Sequence, residues 1–280
     1  MPEGDTIFRA ARTLHRALAG RAVTRFESVF PALSRVDVDT PLSGRTIERV
    51  EARGKHLLMW LSGGLVLRTH MRMNGSWHIY RPQERWRLPH RDMRIVVETA
   101  DFHAVAFNVP VAEIATPAAL ARTRAIGELG PDPLADGFRA EDAIARIMSR
   151  TEMEIADALL DQTAIAGIGN VYKSEVLFAG RVNPFARVGT LAAEDIDRLV
   201  AIAVKFLKAN VAEGSPAAIE TYRGLRRTTG RSDPGARLWA YGRAGKPCRR
   251  CATPISRRRQ GPHARSTYWC PRCQPAKNDR

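Results

Sequence analysis

The sequence predicts an α+β fold: one amphipathic helix, then a β-rich half, then a helical half closed by a four-cysteine ribbon. Three observations predict it. Short runs of β-branched and apolar residues, separated by Gly, Asn and Ser turns, occupy the stretch from 21 to about 112. Apolar residues then recur at three- and four-residue steps between 116 and 210. All four cysteines lie close to the end, as Cys248-x2-Cys251 and Cys270-x2-Cys273.

The elements follow in order. Asp5 is placed to cap a first helix whose Ile7, Ala11, Leu14 and Leu18 share one face, and Gly20 stops it. Strands are expected at 21–29, 46–51, 56–61, 65–70, 77–80, 94–99 and 103–109, with Ser62-Gly63-Gly64 and Asn74-Gly75 as turns. That pattern suits a sandwich or a barrel. Helices are expected at 116–124, 142–148, 154–160, 170–179 and 195–210. Leu129-Gly130-Pro131-Asp132-Pro133 interrupts the chain between the halves and reads as a hinge. The expected divisions are a β domain at 1–115, a linker at 116–130, a helical domain at 131–235 and a ribbon at 236–280.

Charge is unevenly spread. Of the formal net charge of +15, residues 223–280 carry +14, with sixteen Lys and Arg against Asp233 and Asp279 alone. Such a block attracts polyanions, because each phosphate it neutralises releases a condensed counterion. Trp239, Tyr241, Tyr268 and Trp269 within it argue for a folded surface rather than a solvated tail. No run approaches the ~18 consecutive apolar residues of a membrane span. The opening MPEGDTIFRA carries acids early and lacks the apolar core of a secretory signal, so a cytoplasmic protein is expected; a monomer is expected as well.

The cysteine pairs are separated by eighteen residues, the spacing of a four-thiolate zinc ribbon. Each CxxC turn aims two sulfurs at one tetrahedral ion, so Cys248, Cys251, Cys270 and Cys273 are the expected ligands of one structural zinc. Disulfides are the alternative, disfavoured where thiols stay reduced. With four protein ligands the shell is closed and the metal is not catalytic.

Three further segments carry chemistry. Removal of Met1 leaves Pro2 with a free secondary amine, which titrates near about 8, against about 10.4 for a lysine. The neutral amine can attack a sugar anomeric carbon. The resulting iminium has no N–H to lose, so it persists as an electron sink that acidifies the C2′ proton and drives elimination. Glu3 stands beside it as a proton donor and shuttle. In Arg53-Gly54-Lys55-His56, Lys55 heads an apolar strand and is placed to bind a phosphate or assist proton transfer. In Gly167-Ile168-Gly169-Asn170, two glycines open a helix whose unpaired N–H groups suit a phosphate, with Lys173 strengthening the site.

These residues resemble the formamidopyrimidine-DNA glycosylase and endonuclease VIII superfamily from the start of the chain to Gln274. The resemblance rests on Pro2-Glu3-Gly4, Arg53-Gly54-Lys55, Leu159-Leu160-Asp161-Gln162 running into Gly167-Ile168-Gly169-Asn170, and Cys248 to Cys273 with Arg265 before Cys270. It implies a β-sandwich, a helix-two-turns-helix and a zinc hairpin that lends an arginine to double-stranded DNA. It implies Pro2 as the Schiff-base nucleophile, Glu3 as proton donor and Lys55 in support of δ-elimination. Asn170 is then a phosphate ligand, and Arg265 holds phosphates at the lesion. The activity implied is a bifunctional glycosylase and abasic-site lyase of base excision repair, cleaving by β,δ-elimination.

The stretch 99–105 lacks the Arg-x-Phe wedge of formamidopyrimidine-type members, and Ser76-Trp77 and Tyr268-Trp269 look closer to endonuclease VIII. Oxidised pyrimidines are therefore the expected lesions, with Met73, at a hairpin turn beside Arg72, as the residue that enters the base stack. Oxidised purines are one alternative, and a damage-binding protein without catalysis is another. Thr6 stands where the family often has Glu, and Glu152 and Glu154 where some members are basic. The basic stretch 222–232 is expected as a loop near the base pocket.

Overall fold

The computed structural model describes residues 2–212, 226–229 and 233–276, so Met1 and most of 222–232 lie outside the described residues. The described residues fall into two compact units, one of 2–128 and one of 129–212, 226–229 and 233–276. No helix among them is long and apolar enough to cross a membrane.

In the first unit, α1 (Gly4–Leu18) buries Ile7, Ala10, Ala11, Leu14 and Leu18 along one stripe. Its cap is Glu3, whose carbonyl accepts the Thr6 and Ile7 N–H groups. Asp5 is therefore not the cap but a buried first-turn acid, placed where the helix dipole favours it. The chain continues through β1 (Arg25–Ser28), α2 (Pro31–Asp39), β2 (Ile47–Arg53), β3 (His56–Leu61) and β4 (Leu65–His70). After these come β5 (Ser76–Tyr80), β6 (Met93–Glu98), β7 (His103–Phe107) and β8 (Val111–Ala115).

Two antiparallel four-stranded sheets result, in the orders β2-β3-β4-β8 and β1-β6-β7-β5. Alternate residues of both, such as Leu57, Met59 and Leu67 from one and Trp77, Ile95 and Ala106 from the other, share a single core with α1. The arrangement is a sandwich. Short α3 (Pro117–Arg122) and α4 (Arg124–Gly127) close the unit where one helix was expected, the break falling at Thr123. Strand β4 belongs to one sheet and β5 to the other, so Met71–Gly75 is a crossover between sheets rather than a hairpin turn. Gly75 is needed there: a Cβ would lie 2.6 Å from the Met71 carbonyl oxygen.

The second unit packs α5 (Ala140–Met148), α6 (Ile155–Leu160), α7 (Asn170–Gly180) and α8 (Ala193–Val211) around Ile147, Leu159, Ile168, Tyr172, Val176, Leu199 and Leu207. The hairpin of β9 (Ser256–Gln260) and β10 (Arg265–Trp269) pairs Arg265 with Gln260 and Thr267 with Arg258. Phe178 of α7 shares a small core with Cys248, Ile255 and Cys270, so the ribbon is built onto the helices rather than appended to them.

Candidate functional site

Pro2 is buried directly before α1, and the Glu3 side chain is wholly buried beside it. Asp5, also wholly buried, pairs with Arg9 at 3.6 Å and accepts from the Thr6 hydroxyl at 3.4 Å. The cap and first turn of α1 thus hold two wholly buried acidic side chains, Glu3 next to Pro2 in the chain and Asp5 paired with Arg9.

Lys55 sits in the two-residue turn joining β2 to β3. Gly54 takes the first central position with φ +59, which a side chain would resist. Register places the same end of the sheet at His56 and His70, which pair directly across β3 and β4 with rings 4.8 Å apart. Arg68 donates to His56 Nδ1 at 3.0 Å and to Glu113 at 2.5 Å, and the Arg72 N–H donates to His70 Nδ1 at 3.0 Å. Burial first, then His70, Arg68, Lys55 and Arg72, lowers His56 to about 3. Burial first, then Arg72, Lys55 and Arg68, lowers His70 to about 4. Both rings are neutral at pH 7. The structure thereby brings Lys55 and Arg72 into one cationic cluster, and its histidines are functional candidates that sequence reasoning passes over. The signals available were His56 next to Lys55 and His70 at the end of an apolar run.

Met73 is 53% exposed at the tip of the crossover, so it is not a buried strand methionine. With Arg72, Asn74, Arg94, Asn108, Val109 and Pro110 it lines a recess of about 410 Å³. Strand pairs Ser76↔Phe107 and Met93↔Phe107 put Asn108 at Met73's end of the sheet, whereas Tyr80↔His103 and Glu98↔His103 put 99–102 at the opposite end. Asp101 there is an ion-pair partner of Arg21. The segment facing Met73, Asn108-Val109-Pro110, also lacks the Arg and Phe.

In the second unit, two tight turns deliver Asn170 to the start of α7. Asp161 accepts from the N–H (2.9 Å) and hydroxyl (2.8 Å) of Thr163, and Gln162 accepts from the Gly167 N–H at 3.1 Å while donating to the Ile168 carbonyl. Gly167 has φ +87. Asn170 is nearly buried and donates through Nδ2 to the Ser266 carbonyl at 2.9 Å. Arg265 is exposed at the head of β10, next to a turn with Gly261 at φ +69, and Arg257, Arg258 and Arg259 are exposed along β9.

Lys173 departs from expectation. It is wholly buried, and its ammonium donates to Thr267 Oγ1 at 2.7 Å rather than facing a surface phosphate. The two acids at unexpected positions are also engaged, Glu152 with Arg187 at 2.9 Å and Glu154 with Gln260 at 2.6 Å.

The four cysteine sulfurs lie within 4.8 Å of one another, with separations of 3.4 Å for Cys251–Cys270, 3.5 Å for Cys251–Cys273 and 3.9 Å for Cys248–Cys273. A tetrahedral zinc with ~2.3 Å bonds to sulfur needs sulfur–sulfur edges of about 3.8 Å. Burial and then the neighbouring thiols push Cys273 up to about 12, a crowding that a central cation relieves. The donor set fits one zinc, held by Cys248, Cys251, Cys270 and Cys273 as expected.

Three family models match in order: the formamidopyrimidine-DNA glycosylase N-terminal domain over residues 1–110, its H2TH domain over 129–220, and the zinc finger found in FPG and IleRS over 245–276. A Streptomyces coelicolor protein named probable endonuclease 8 2 is 44% identical over 98% of this chain and 94% of its own length. The chain belongs to the formamidopyrimidine-DNA glycosylase and endonuclease 8 family. The DNA-(apurinic or apyrimidinic site) lyase Nei2 of Mycolicibacterium smegmatis is 39% identical over 99% of this chain and all of its own. The fold is that of Lactococcus lactis Fpg solved with DNA containing an abasic site, with TM-score 0.80 and 22% identity over 98% of this chain and 100% of that one. Family membership accounts for the sandwich, the helix-two-turns-helix and the zinc hairpin together.

Proposed function

We propose that the protein is a bifunctional DNA glycosylase and abasic-site lyase of base excision repair that removes oxidised bases, pyrimidines foremost, through a Schiff base on Pro2. The observation that carries this reading is a proline at the head of α1 flanked by the buried carboxylate of Glu3, in a chain 44% identical to a protein named an endonuclease 8. The Pro2 nitrogen bonds to C1′ as the C1′–base bond breaks, with Glu3 protonating the opening sugar oxygen. Loss of the C2′ proton expels the 3′ phosphate. A second elimination, supported by Lys55, expels the 5′ phosphate, and water then hydrolyses the imine to free Pro2. In the second unit Asn170 and Arg265 bind phosphates. The zinc, when bound, supplies only the cross-link that folds the hairpin.

Met73, exposed beside Arg72, is assigned to fill the stack once the damaged base has left it. The pyrimidine preference is supported by relatives named endonuclease 8 at 39–44% identity, whereas a Gloeobacter violaceus protein named formamidopyrimidine-DNA glycosylase is 33% identical. It is supported too by Asn108-Val109-Pro110 facing Met73. Competition between duplexes carrying thymine glycol and 8-oxoguanine tests it: the pyrimidine lesion should be cut faster, with a one-nucleotide gap flanked by phosphates. Faster cutting at 8-oxoguanine would reverse the substrate class.

A further inference from the structure

Lys173 stands in a helix buried almost all round, and its ammonium begins a chain of hydrogen bonds through the second unit. Lys173 donates to Thr267 Oγ1 at 2.7 Å and, more weakly, to the Ser266 carbonyl at 3.5 Å; Thr267 Oγ1 donates to Gln260 Oε1 at 2.7 Å, and Gln260 Nε2 donates to Glu154 Oε2 at 2.6 Å and to the Pro184 carbonyl at 3.0 Å. All the donors point one way, from a cation to a carboxylate, so each bond polarises the next. Lys173, Thr267 and Gln260 are each at most 5% exposed, where a broken link leaves an unpaired polar group in the interior.

The chain runs from α7 through β10 and β9 to the cap of α6, tying both helices of the two-turn motif to the zinc hairpin. Arg265 joins this chain through its backbone, with its side chain exposed. Gln260 is its cross-strand partner, and the carbonyl of the next residue, Ser266, accepts Asn170 Nδ2 at 2.9 Å. The hairpin tip is also seated tightly: a Cβ on Gly261 would lie 2.3 Å from Asp157 Oδ1 of α6. One amide hydrogen of Asn170 is thereby committed to the hairpin, leaving the other for a phosphate.

We infer that Lys173 is a positioning residue, which touches no phosphate and fixes the spacing between the two phosphate ligands Asn170 and Arg265 through Thr267, Gln260 and Glu154. The inference rests on the DNA-binding reading above. It deepens that reading, because it makes grip on the backbone depend on a buried relay and not only on surface charge.

The test compares Lys173→Met with Thr267→Val, which keeps the lysine charge but breaks the relay, in the zinc-loaded full-length protein. Binding to an abasic-site duplex is measured over a range of salt concentrations. Both variants should retain zinc and weaken binding by about tenfold, and both should lower the log–log salt slope by about one phosphate's worth. The double variant should bind no worse than the weaker single, because the two residues act on one element. Thr267→Ser should restore wild-type binding. If Thr267→Val binds as wild type while Lys173→Met does not, the relay through Thr267 is not what sets the two phosphate ligands and the inference is overturned. Additive losses, or no loss in either variant, overturn it too. Should Lys173→Met fail to fold, Thr267→Val against Thr267→Ser decides alone. A wild-type protein that neither binds nor cuts the duplex would instead sink the functional reading.

Discussion

Replacing Glu175 with Gln should be among the most damaging single changes outside the chemistry. Its carboxylate, wholly buried in α7, accepts the N–H groups of Trp239 at 2.7 Å, Ala240 at 2.8 Å and Tyr241 at 2.8 Å, and the Thr228 hydroxyl. Burial pushes the carboxyl pKa up, while the Thr228 hydroxyl and the three backbone N–H groups work against that rise. Three fixed backbone donors on its two oxygens favour the ionised form. Glutamine's one oxygen can keep the Ala240 and Tyr241 N–H groups, but its NH₂ is turned towards the Trp239 N–H, which loses its acceptor, while Thr228 can turn its hydrogen to the Arg237 carbonyl. At about 1–3 kcal/mol for the orphaned donor, plus the charge assistance lost by the other bonds, the cost is about 3 kcal/mol. With a denaturant slope of about 1–3 kcal/mol per molar urea, the midpoint should fall by more than about 1 M. Trp239, stacked on Phe178 at 5.6 Å, reports the transition by fluorescence in the zinc-loaded protein. A midpoint unchanged within error would mean that Glu175 is neutral, and the reasoning would fail.

Stability should also fall in mild acid. His56 at about 3 and His70 at about 4 are neutral in the folded chain, while the unfolded chain protonates both below about 6.5. Stability is therefore full above pH 6.5 and lost as pH drops towards 4, by up to about 2.7 kcal/mol per pH unit for two protons. Denaturant midpoints at pH 7 and 5 check this, and His56→Asn with His70→Asn should flatten the slope. Chelating zinc should abolish duplex binding while leaving the sandwich unit folded, since its core shares no residue with the ribbon; retained binding would deny the metal its structural role. Met73→Ala should slow excision of an intact lesion while sparing cleavage at a preformed abasic site, where no base has to leave the stack; equal losses on both substrates would remove Met73 from that role.

Much of the fold was legible because its signals are local. Strands β3 and β4 coincide with their apolar runs to the residue, bounded by Gly54-Lys55 and Ser62-Gly63-Gly64. The zinc ligands follow from covalent spacing alone. Helix α2 was not legible, because only Leu33 of its nine residues is buried and no period of burial marks it. Strand β8 is half-exposed at a sheet edge and reads as loop. Lys173 reads as a surface cation because α7 is buried on every side, and a helix without an exposed face has no periodicity to show which polar residue turns inward. The His56–His70 pair depends on register across two strands, which composition and spacing do not encode.

The most direct measurement is reductive trapping with borohydride on a duplex containing an abasic site, followed by digestion and mapping of the cross-linked peptide. The account predicts a covalent adduct on the nitrogen of Pro2, lost when Met1 is retained. An adduct on a lysine, or strand cleavage with no adduct, would contradict it.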